Sequence, residues 1–544
     1  MNSPQPILRL GGGALPSGFE SYEAAVASFG AQGAAAAMRG PFAVATALTG
    51  DRAFLAVDRF AGESLCWRVD GDQLRWGARA DELGGTDIDA QAVYDYLFFH
   101  VIPSPRTIFR GVNRLPAGHY GLWQEGRMEV ASYGRLSFRP QPSVEFEQQK
   151  SEFRRLLLAA VKDELEPGIP ACFLSGGTDS STIAGHIKQL AGEVHTYSIG
   201  FDAQGYDEME FARIAVKHFG AQHHEYYVTP ADLVQHIAEV AGSYDQPFGN
   251  SSALPAYCCA LRAREDGVTK LLAGDGGDEL FGGNTRYALQ KAYGIWAQVP
   301  AALRKGLIEP LLAIPGGQHV ALLRKGRSYV RDANIALPDR LQHYNLLLKL
   351  GADEVLTPAF ANAVRPESVF EQQRDVWSLA DADNDLDRML AYDWRYTLAE
   401  SDLPKVRGTS QLAGVKVGYP MLDDALTDFS MRLPASYKVK GYRLRWFFKE
   451  ALRDFLPPAI ISKQKKGFGL PFGQWAIKHP ALKALTAESL GSFGLRGVVR
   501  PEFVRKLLEE YLPAHPGYYG EMVWILMMLE QWLRRHSPDW RFQD

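Results

Sequence analysis

The feature that most constrains the fold is an alternation of apolar strands and amphipathic helices from about residue 151 to residue 275. Segments with strand character are ACFLSGG, VHTYSIGF, HHEYYV and VTKLLAGDGG, and helical spacing is found in SEFRRLLLAAVKDEL, STIAGHIKQLAG, EMEFARIAVKHFG and ADLVQHIAEVAG. Strands and helices that alternate at this spacing predict a parallel sheet with helices on both faces. From about Arg286 onward the pattern is mostly helical.

The first 138 residues follow a different pattern. Short alternating runs such as FAVATAL and RAFLAVD are broken by Gly and Asp, which is typical of strands and hairpins. The polar stretch that follows contains two prolines and is typical of a linker. We therefore divide the chain into a small α+β domain at 1–138, a linker at 139–150 and a larger domain at 151–544.

The bulk composition excludes several classes of function. The 544 residues carry a formal net charge of -4, which gives no basic surplus for binding nucleic acid. No apolar run reaches the roughly 18 residues of a membrane span, and the N-terminus does not resemble a signal peptide. Four cysteines without CxxC spacing predict reduced structural thiols and no zinc site. We expect a cytoplasmic protein, and a homodimer is compatible with the sequence.

A glycine-rich turn at 175–181 (SGGTDSS) joins the first strand of the larger domain to a helix. Gly176 and Gly177 allow a tight turn that brings N–H groups close to an anion, and the following helix adds its positive end. Asp179 would repel phosphate unless it holds a cation such as Mg²⁺. An ordinary turn with a serine cap is the alternative, since neither a GxxxxGK loop nor a GxGxxG turn is present.

A second acidic loop, LLAGDGGDELFGG, begins at Leu271 and also follows an apolar strand. Ligands of parallel sheets bind at the carboxyl ends of the strands, so both loops could face one crevice. Asp275, Asp278 and Glu279 would then lie near the bound phosphates. Taken alone, the same run is also compatible with a solvated turn.

The turn at 175–180 resembles the PP-loop of ATP pyrophosphatases, which split ATP between the α and β phosphates. The wider resemblance is to asparagine synthetases, and it is carried in family order by YDQPFGNSSALPAY, LLAGDGGDELFGGNTRY and SKQKKGFGLPFGQW. It implies a PP-loop ATP pyrophosphatase parallel sheet with a helical C-terminal part. A smaller α+β domain of the Ntn-hydrolase (glutaminase) type would precede it.

The resemblance also implies roles for individual residues. ATP would bind at the PP-loop, and Mg²⁺ would be held by Asp179 and Asp278. Asp275 occupies the place of an acidic catalytic residue, and Lys465 that of a lysine that stabilises charge on the phosphates. The nucleotide site implied in this way comprises Leu174, Ser175, Gly176, Gly177, Thr178, Asp179, Ser180, Ser181, Ile199, Ala273 and Gly274.

Two departures from the family pattern limit what the resemblance implies. Family glutaminase domains attack glutamine with a cysteine directly after the initiator Met, but here position 2 is Asn2, and Cys66 resembles an internal strand residue. We therefore predict a degenerate glutaminase domain with a structural role. The second departure lies at 398–423. Where the family usually carries an Asp-Arg pair and a Glu-x-Arg, this chain has Arg407-Gly408 and 416–418 (KVG). We therefore expect a substrate other than plain aspartate. Glu400 lies near a catalytic glutamate of β-lactam-forming relatives, or is a helix-surface carboxylate.

The sequence thus predicts an ATP-dependent amide-forming ligase. A small-molecule or peptide carboxylate would be adenylated, with release of pyrophosphate, and then transferred to an amine or to ammonia, which a separate glutaminase could supply. An intramolecular cyclase like the family's β-lactam synthetases and lasso-peptide cyclases is the main alternative. A tRNA-modifying enzyme is a further alternative, which the acidic net charge disfavours. An inactive binding module is another, which the retained site residues disfavour.

Overall fold

The structure is a computed structural model that describes residues 7–13, 15–85, 87–203, 205–312, 320–464 and 469–543. Within these ranges, the N-terminal part contains eight short strands and three helices. Strands β1 to β8 are Leu8–Gly11, Phe42–Leu48, Arg52–Val57, Cys66–Asp70, Gln73–Gly77, Val112–Arg114, His119–Gln124 and Arg127–Ser132, and the helices are Tyr22–Ala37, Ala80–Leu83 and Ala90–Phe99. The strands form antiparallel sheets in the orders β1-β2-β3-β7-β8 and β5-β4-β6.

The larger part contains the predicted parallel sheet. Its strands are β9 (Ala171–Phe173), β10 (His195–Phe201), β11 (Gln222–Val228), β12 (Lys270–Leu272) and β13 (Lys416–Gly418), in the order β11-β10-β9-β12-β13. All neighbours in this sheet are parallel, so the loops that follow β9 and β12 leave the same edge side by side. Together with the α+β N-terminal part, this sheet confirms the predicted fold class.

Helices cover both faces of the sheet and make up most of the C-terminal part. The first begins at Phe146, so the last residues of the predicted linker are already helical. A two-stranded hairpin of β14 (Val439–Lys440) and β15 (Arg443–Leu444) interrupts the helices. Their bounds are Phe146–Glu164, Thr178–Ala191, Met209–Phe219, Pro230–Ser243, Ala253–Glu265, Gly277–Phe281, Thr285–Gln298, Ala301–Leu303, Arg304–Ile308, Glu309–Leu312, Ala321–Ala333, Asp339–Gln342, Leu346–Leu350, Ala352–Val355, Pro358–Ala363, Ser368–Leu379, Asp385–Asp393, Trp394–Asp402, Leu403–Leu412, Pro420–Leu422, Asp424–Arg432, Ala435–Lys438, Trp446–Ala451, Pro458–Ser462, Phe472–Lys478, Pro480–Gly494, Pro501–Lys506, Leu507–Tyr511, Leu512–Ala514 and Pro516–His536.

The segment Trp394–Asp402 is π-helical and lies between two α-helices, Asp385–Asp393 and Leu403–Leu412. A π-helical turn is wider than an α-helical one and is frequently found at functional sites. The sequence alone did not predict this irregularity. It matters here because this segment carries Glu400 and Asp402 close to the candidate site.

The two parts of the chain share one hydrophobic core. Tyr96 and Phe98 of the N-terminal part are buried together with Ile525 and Trp532 of the last helix. The Tyr96 hydroxyl donates a hydrogen bond to the Ile525 carbonyl at 2.8 Å. The apolar stretch at 522–529 lies in this core, within the last helix. Among the described residues, no helix combines the length and apolarity that crossing a membrane would require.

Candidate active site

The turn after β9 has the geometry of an anion-binding loop. Gly176 adopts a left-handed backbone (φ +67°), and a Cβ at this position would lie 2.4 Å from the backbone nitrogen of Ala212. Only glycine therefore fits here. Gly177 is the N-cap of helix Thr178–Ala191 and has no side chain to bond the first-turn N–H groups. Those N–H groups remain available to an anion, since they lack partners within the helix.

Hydroxyl groups hold this loop in its shape. The Ser175 N–H donates to the Ser180 Oγ at 3.1 Å, and the two serine hydroxyls are also 3.1 Å apart. The Gly177 N–H donates to the Ser175 Oγ at 3.4 Å. Leu174 and Ser181 are buried beneath the loop, whereas Ser175 is exposed. These hydrogen bonds define the shape of the loop, and the predicted contact residues differ in how accessible they are.

The loop after β12 packs directly against the first loop, as the sequence predicted. A Cβ on Gly274 would lie 2.8 Å from the Ser180 backbone nitrogen and 3.0 Å from the Asp179 Cβ. Ala273, just before it, is buried, and its N–H donates to the Gly418 carbonyl on β13 at 2.9 Å. Ile199 is half-buried on β10, on the other side of β9. These residues therefore border one edge of the sheet.

Asp179 and Asp278 converge on the same guanidinium group. Arg445 forms an ion pair with Asp179, lies 3.1 Å (Nη1 to Oδ1) from Asp278, and donates to the Thr178 Oγ1 at 2.6 Å. Both carboxylates are largely buried, with side chains 18% and 12% exposed. Two carboxylates that point at one cation suit Mg²⁺, which typically takes one or two carboxylates and completes its shell with phosphate oxygens and water. In the described part of the chain, no group of three or more His, Cys, Asp or Glu side chains is placed so that it could hold a metal ion.

Arg445 is a site residue that the sequence analysis missed. It has a left-handed backbone (φ +56°), rare for a residue with a side chain, and its N–H donates to the Gly282 carbonyl at 3.1 Å. Burial lowers the pKa of Arg445 to about 9, which still leaves it cationic at neutral pH. Nothing in the local segment YRLRWFF distinguishes it from a surface arginine, so only the fold reveals its position.

A group of charged residues lies beside the second loop, and we call Asp275, Glu279, Asp402 and Lys405 the acceptor cluster. Lys405 Nζ lies 2.9 Å from Asp402 Oδ1. Burial opposes the charge of Lys405, but the carboxylates of Asp402, Asp275 and Glu279 outweigh it and raise its pKa. Burial, reinforced by the charges of Asp402 and Asp275, raises the pKa of Glu279 to about 8. Asp402 and Lys405 were not predicted individually, although they lie in the segment that departs from the family pattern.

The predicted Lys465 lies outside the described residues, so its role stays a prediction. Lys463 is described and was not predicted, although it belongs to the same quoted motif. Its Nζ lies 3.4 Å from the Gly176 carbonyl and 3.0 Å from Glu208 Oε2, and it sits over the Phe211 ring. Lys463 thus anchors this motif to the glycine turn.

Glu400 is buried at the junction of the two parts and is not a surface carboxylate. Its carboxylate accepts hydrogen bonds from the N–H and hydroxyl of Ser104 and pairs with Arg114 and Arg395. Burial alone would raise the pKa of Glu400, but the two guanidinium groups and the Ser104 hydrogen bonds lower it. Glu400 and Arg114 line an interdomain cavity of about 440 Å³. The contacts recorded for Glu400 thus join the two parts, and its catalytic role stays a prediction.

Comparison with known proteins gives two family matches. The sequence model of the asparagine synthase family matches residues 152–534, and that of a glutamine amidotransferase domain matches residues 19–134. The glutamine-hydrolysing asparagine synthetase 1 of Bacillus subtilis is 23% identical over 92% of this chain and 78% of its own length. A putative glutamine-hydrolysing asparagine synthetase of Mycobacterium bovis is 24% identical over 82% of this chain and 68% of its own length. One from Methanocaldococcus jannaschii is 36% identical over 36% of this chain and 39% of its own length.

Proposed function

The chain belongs to the asparagine synthase family of ATP-dependent amide ligases, and we propose that it adenylates a carboxylate and passes the acyl group to ammonia or an amine, without glutaminase activity of its own. The observation that carries this proposal is the packing of the two loops against each other, with Asp179 and Asp278 directed at one cation. We also propose domain limits at 138 and 151, which the family matches ending at 134 and beginning at 152 support.

In the first step, a carboxylate oxygen of the substrate attacks the α-phosphorus of ATP. The bond to the β-phosphate oxygen breaks, which gives an acyl-adenylate and pyrophosphate. The glycine turn and the N-terminal end of helix Thr178–Ala191 would bind the departing pyrophosphate through backbone N–H groups. Asp179 and Asp278 would hold Mg²⁺, which neutralises phosphate charge when it is bound. Ile199, Ala273 and Gly274 would border the adenine.

In the second step, the nitrogen attacks the acyl carbon, the bond to AMP breaks, and the nitrogen loses a proton. We assign that proton to the carboxylate of Asp275. Its position supports this role, because its charge acts on Glu279 and Lys405 within the acceptor cluster. Holding both reactants in place makes the step effectively unimolecular and contributes several kcal/mol to the lowering of the barrier.

The nitrogen would come from free ammonia, an amine or a separate glutaminase. Cys66 does not resemble a nucleophile, since it is fully buried and burial raises the pKa of its thiol. Position 2 is asparagine, where the family's glutaminases carry the attacking cysteine. The interdomain cavity beside Arg114 and Glu400 offers a space through which a small nitrogen donor could approach.

The test is the release of AMP and pyrophosphate by the purified protein with Mg-ATP and a carboxylate, beginning with aspartate. Each acid is assayed without a nitrogen source, with ammonium and with glutamine. We expect AMP with ammonium and none with glutamine, and a loss of at least about 100-fold in Asp179→Asn. Asp87→Asn, at an exposed position, is the matched control. Release of ADP and phosphate would refute adenylation, and turnover with glutamine would refute the loss of glutaminase activity.

A further inference from the structure

A second cavity, of about 570 Å³, lies against the π-helix Trp394–Asp402. Its wall combines the end of helix Ala90–Phe99, the start of helix Thr285–Gln298, the segment 341–346, the π-helix Trp394–Asp402 and the start of helix Pro516–His536. The volume lies within the range of about 300–1,000 Å³ that is typical of small-molecule pockets. It is therefore large enough for a substrate with a bulky side chain.

Aromatic rings dominate the wall of this cavity. Phe99 and Tyr396 are stacked with centroids 5.3 Å apart, and Tyr392 lies 4.7 Å from Tyr396. Tyr344 and Tyr518 also line the cavity and are unusually exposed, at 58% and 43%. Large exposed aromatic side chains at the mouth of a concave site are typical of ligand contact, because they offer apolar area at low cost in conformational entropy.

The wall also presents a positive charge. Arg286 lines the cavity, and it donates from Nε to Asp393 Oδ2 at 3.1 Å and from Nη2 to Thr397 Oγ1 at 3.0 Å. Asp393 is only 1% exposed, whereas the Arg286 side chain is 27% exposed, so the cavity meets the guanidinium and not its partner. On the side of the last helix, His100 faces Glu521 at 3.6 Å (Nδ1 to Oε1). Arg286 is already paired with Asp393, so a ligand carboxylate beside it would share the exposed edge of this guanidinium with Asp393.

The π-helix links the wall of the cavity to the acceptor cluster. Thr397 and Ser401 line the cavity, and the next residue, Asp402, belongs to the acceptor cluster. The positive charge of Arg286 also acts on Glu279, where it opposes the rise in pKa. Arg286 and Ser401 are therefore the cavity residues that lead toward the cluster where the acyl transfer is proposed to occur.

We propose that this cavity binds the ring of an aromatic carboxylic acid and that such an acid is the substrate that the protein adenylates. The ring would stack among Tyr396, Tyr344 and Tyr518, and Arg286 would draw the carboxylate toward the acceptor cluster. This inference rests on the proposed function, because it names the substrate class of the same site.

The test measures binding and activation separately. The full chain is titrated calorimetrically with three compounds. The affinity for 3-phenylpropionate relative to propionate measures the contribution of the aromatic ring. The affinity for 3-phenylpropionate relative to 2-phenylethylamine measures the preference for an anionic over a cationic group. We expect 3-phenylpropionate to bind at least tenfold more tightly than either compound. The double variant Tyr344→Ala/Tyr518→Ala should weaken this binding about fivefold, whereas Phe29→Ala, an exposed ring of the N-terminal part, should leave it unchanged. Equal binding of the two acids, or tighter binding of the amine, would overturn the proposal.

Carboxylate-dependent ATP–pyrophosphate exchange, run with the same acids, separates this inference from the proposed function. We expect exchange with 3-phenylpropionate to exceed that with aspartate by at least tenfold in kcat/KM. Tight binding of the aromatic acid without exchange with any acid would refute the ligase proposal and leave the aromatic site standing. Exchange with aspartate that exceeds exchange with the aromatic acid would refute the aromatic site and leave the ligase standing.

Discussion

Replacing Glu400 by glutamine separates a structural role from a catalytic one. The carboxylate is 3% exposed and pairs with Arg114 and Arg395, whose side chains are 13% and 11% exposed. Glutamine keeps the shape and can still accept a hydrogen bond from Ser104, but it removes the negative charge that pairs with both guanidinium groups. The variant would leave two largely buried cations without their shared counter-charge.

The expected cost follows from this burial. Removing one partner of a buried ion pair costs about 3–5 kcal/mol, because the remaining charge is desolvated without compensation. We expect E400Q to lower the free energy of unfolding in urea by about that amount. The deficit should be constant from pH 6 to pH 8 and shrink only below about pH 4.3, because the pKa of Glu400 is lowered in the folded protein and its stabilisation is lost as the carboxyl protonates.

A matched control exists in the last helix. Glu530 is fully buried and pairs with Arg496 and Arg534 while it accepts a hydrogen bond from Ser492, so E530Q removes the same kind of charge away from the junction. Hydrogen exchange should increase at residues 98–115 in E400Q and not in E530Q, while AMP formation per folded molecule stays within about threefold of wild type. An E400Q protein of unchanged stability that forms no AMP would refute this reasoning and assign Glu400 to the chemistry.

Three further predictions concern the site itself. In a chelating buffer, Arg445→Ala should lower the midpoint of thermal unfolding, because Asp179 and Asp278 then repel each other. Added Mg²⁺ should raise this midpoint more in the variant than in wild type. An equal rise in both proteins would contradict a cation position shared by Arg445 and Mg²⁺. Glu279→Gln should gain thermal stability over wild type as pH rises from 5 to 8, since the folded protein, with a pKa of about 8, holds a proton that the unfolded chain has already lost; a constant difference in melting temperature across this range would argue against it. Gly176→Ala should abolish AMP formation, whereas Gly192→Ala, with a similar φ of +79° and open space for a Cβ, should cost only about 1–3 kcal/mol of stability; activity retained in the first variant would count against a close approach of the backbone.

The sequence predicted the parts of this protein that depend on local pattern. The parallel sheet and the facing loops at 175–181 and 273–279 follow from strand–helix alternation and from the common edge of parallel strands. The contacts of Arg445 with Asp179 and Asp278, and those of Glu400 with Ser104 and Arg114, could not be predicted in this way, because they join segments that are distant in the sequence. The π-helical segment Trp394–Asp402 also has no local signature, since its register depends on the groups packed on both sides.

The hydrophobic core that the two parts share has a consequence for how such a chain can evolve. Deleting residues 1–138 would expose the apolar surface now buried between Tyr96, Phe98 and Trp532, and would leave Glu400 without Ser104 and Arg114. Truncation of this segment would therefore destabilise the rest of the chain. Point substitutions within the segment can change its reactive positions and still leave the shared core intact.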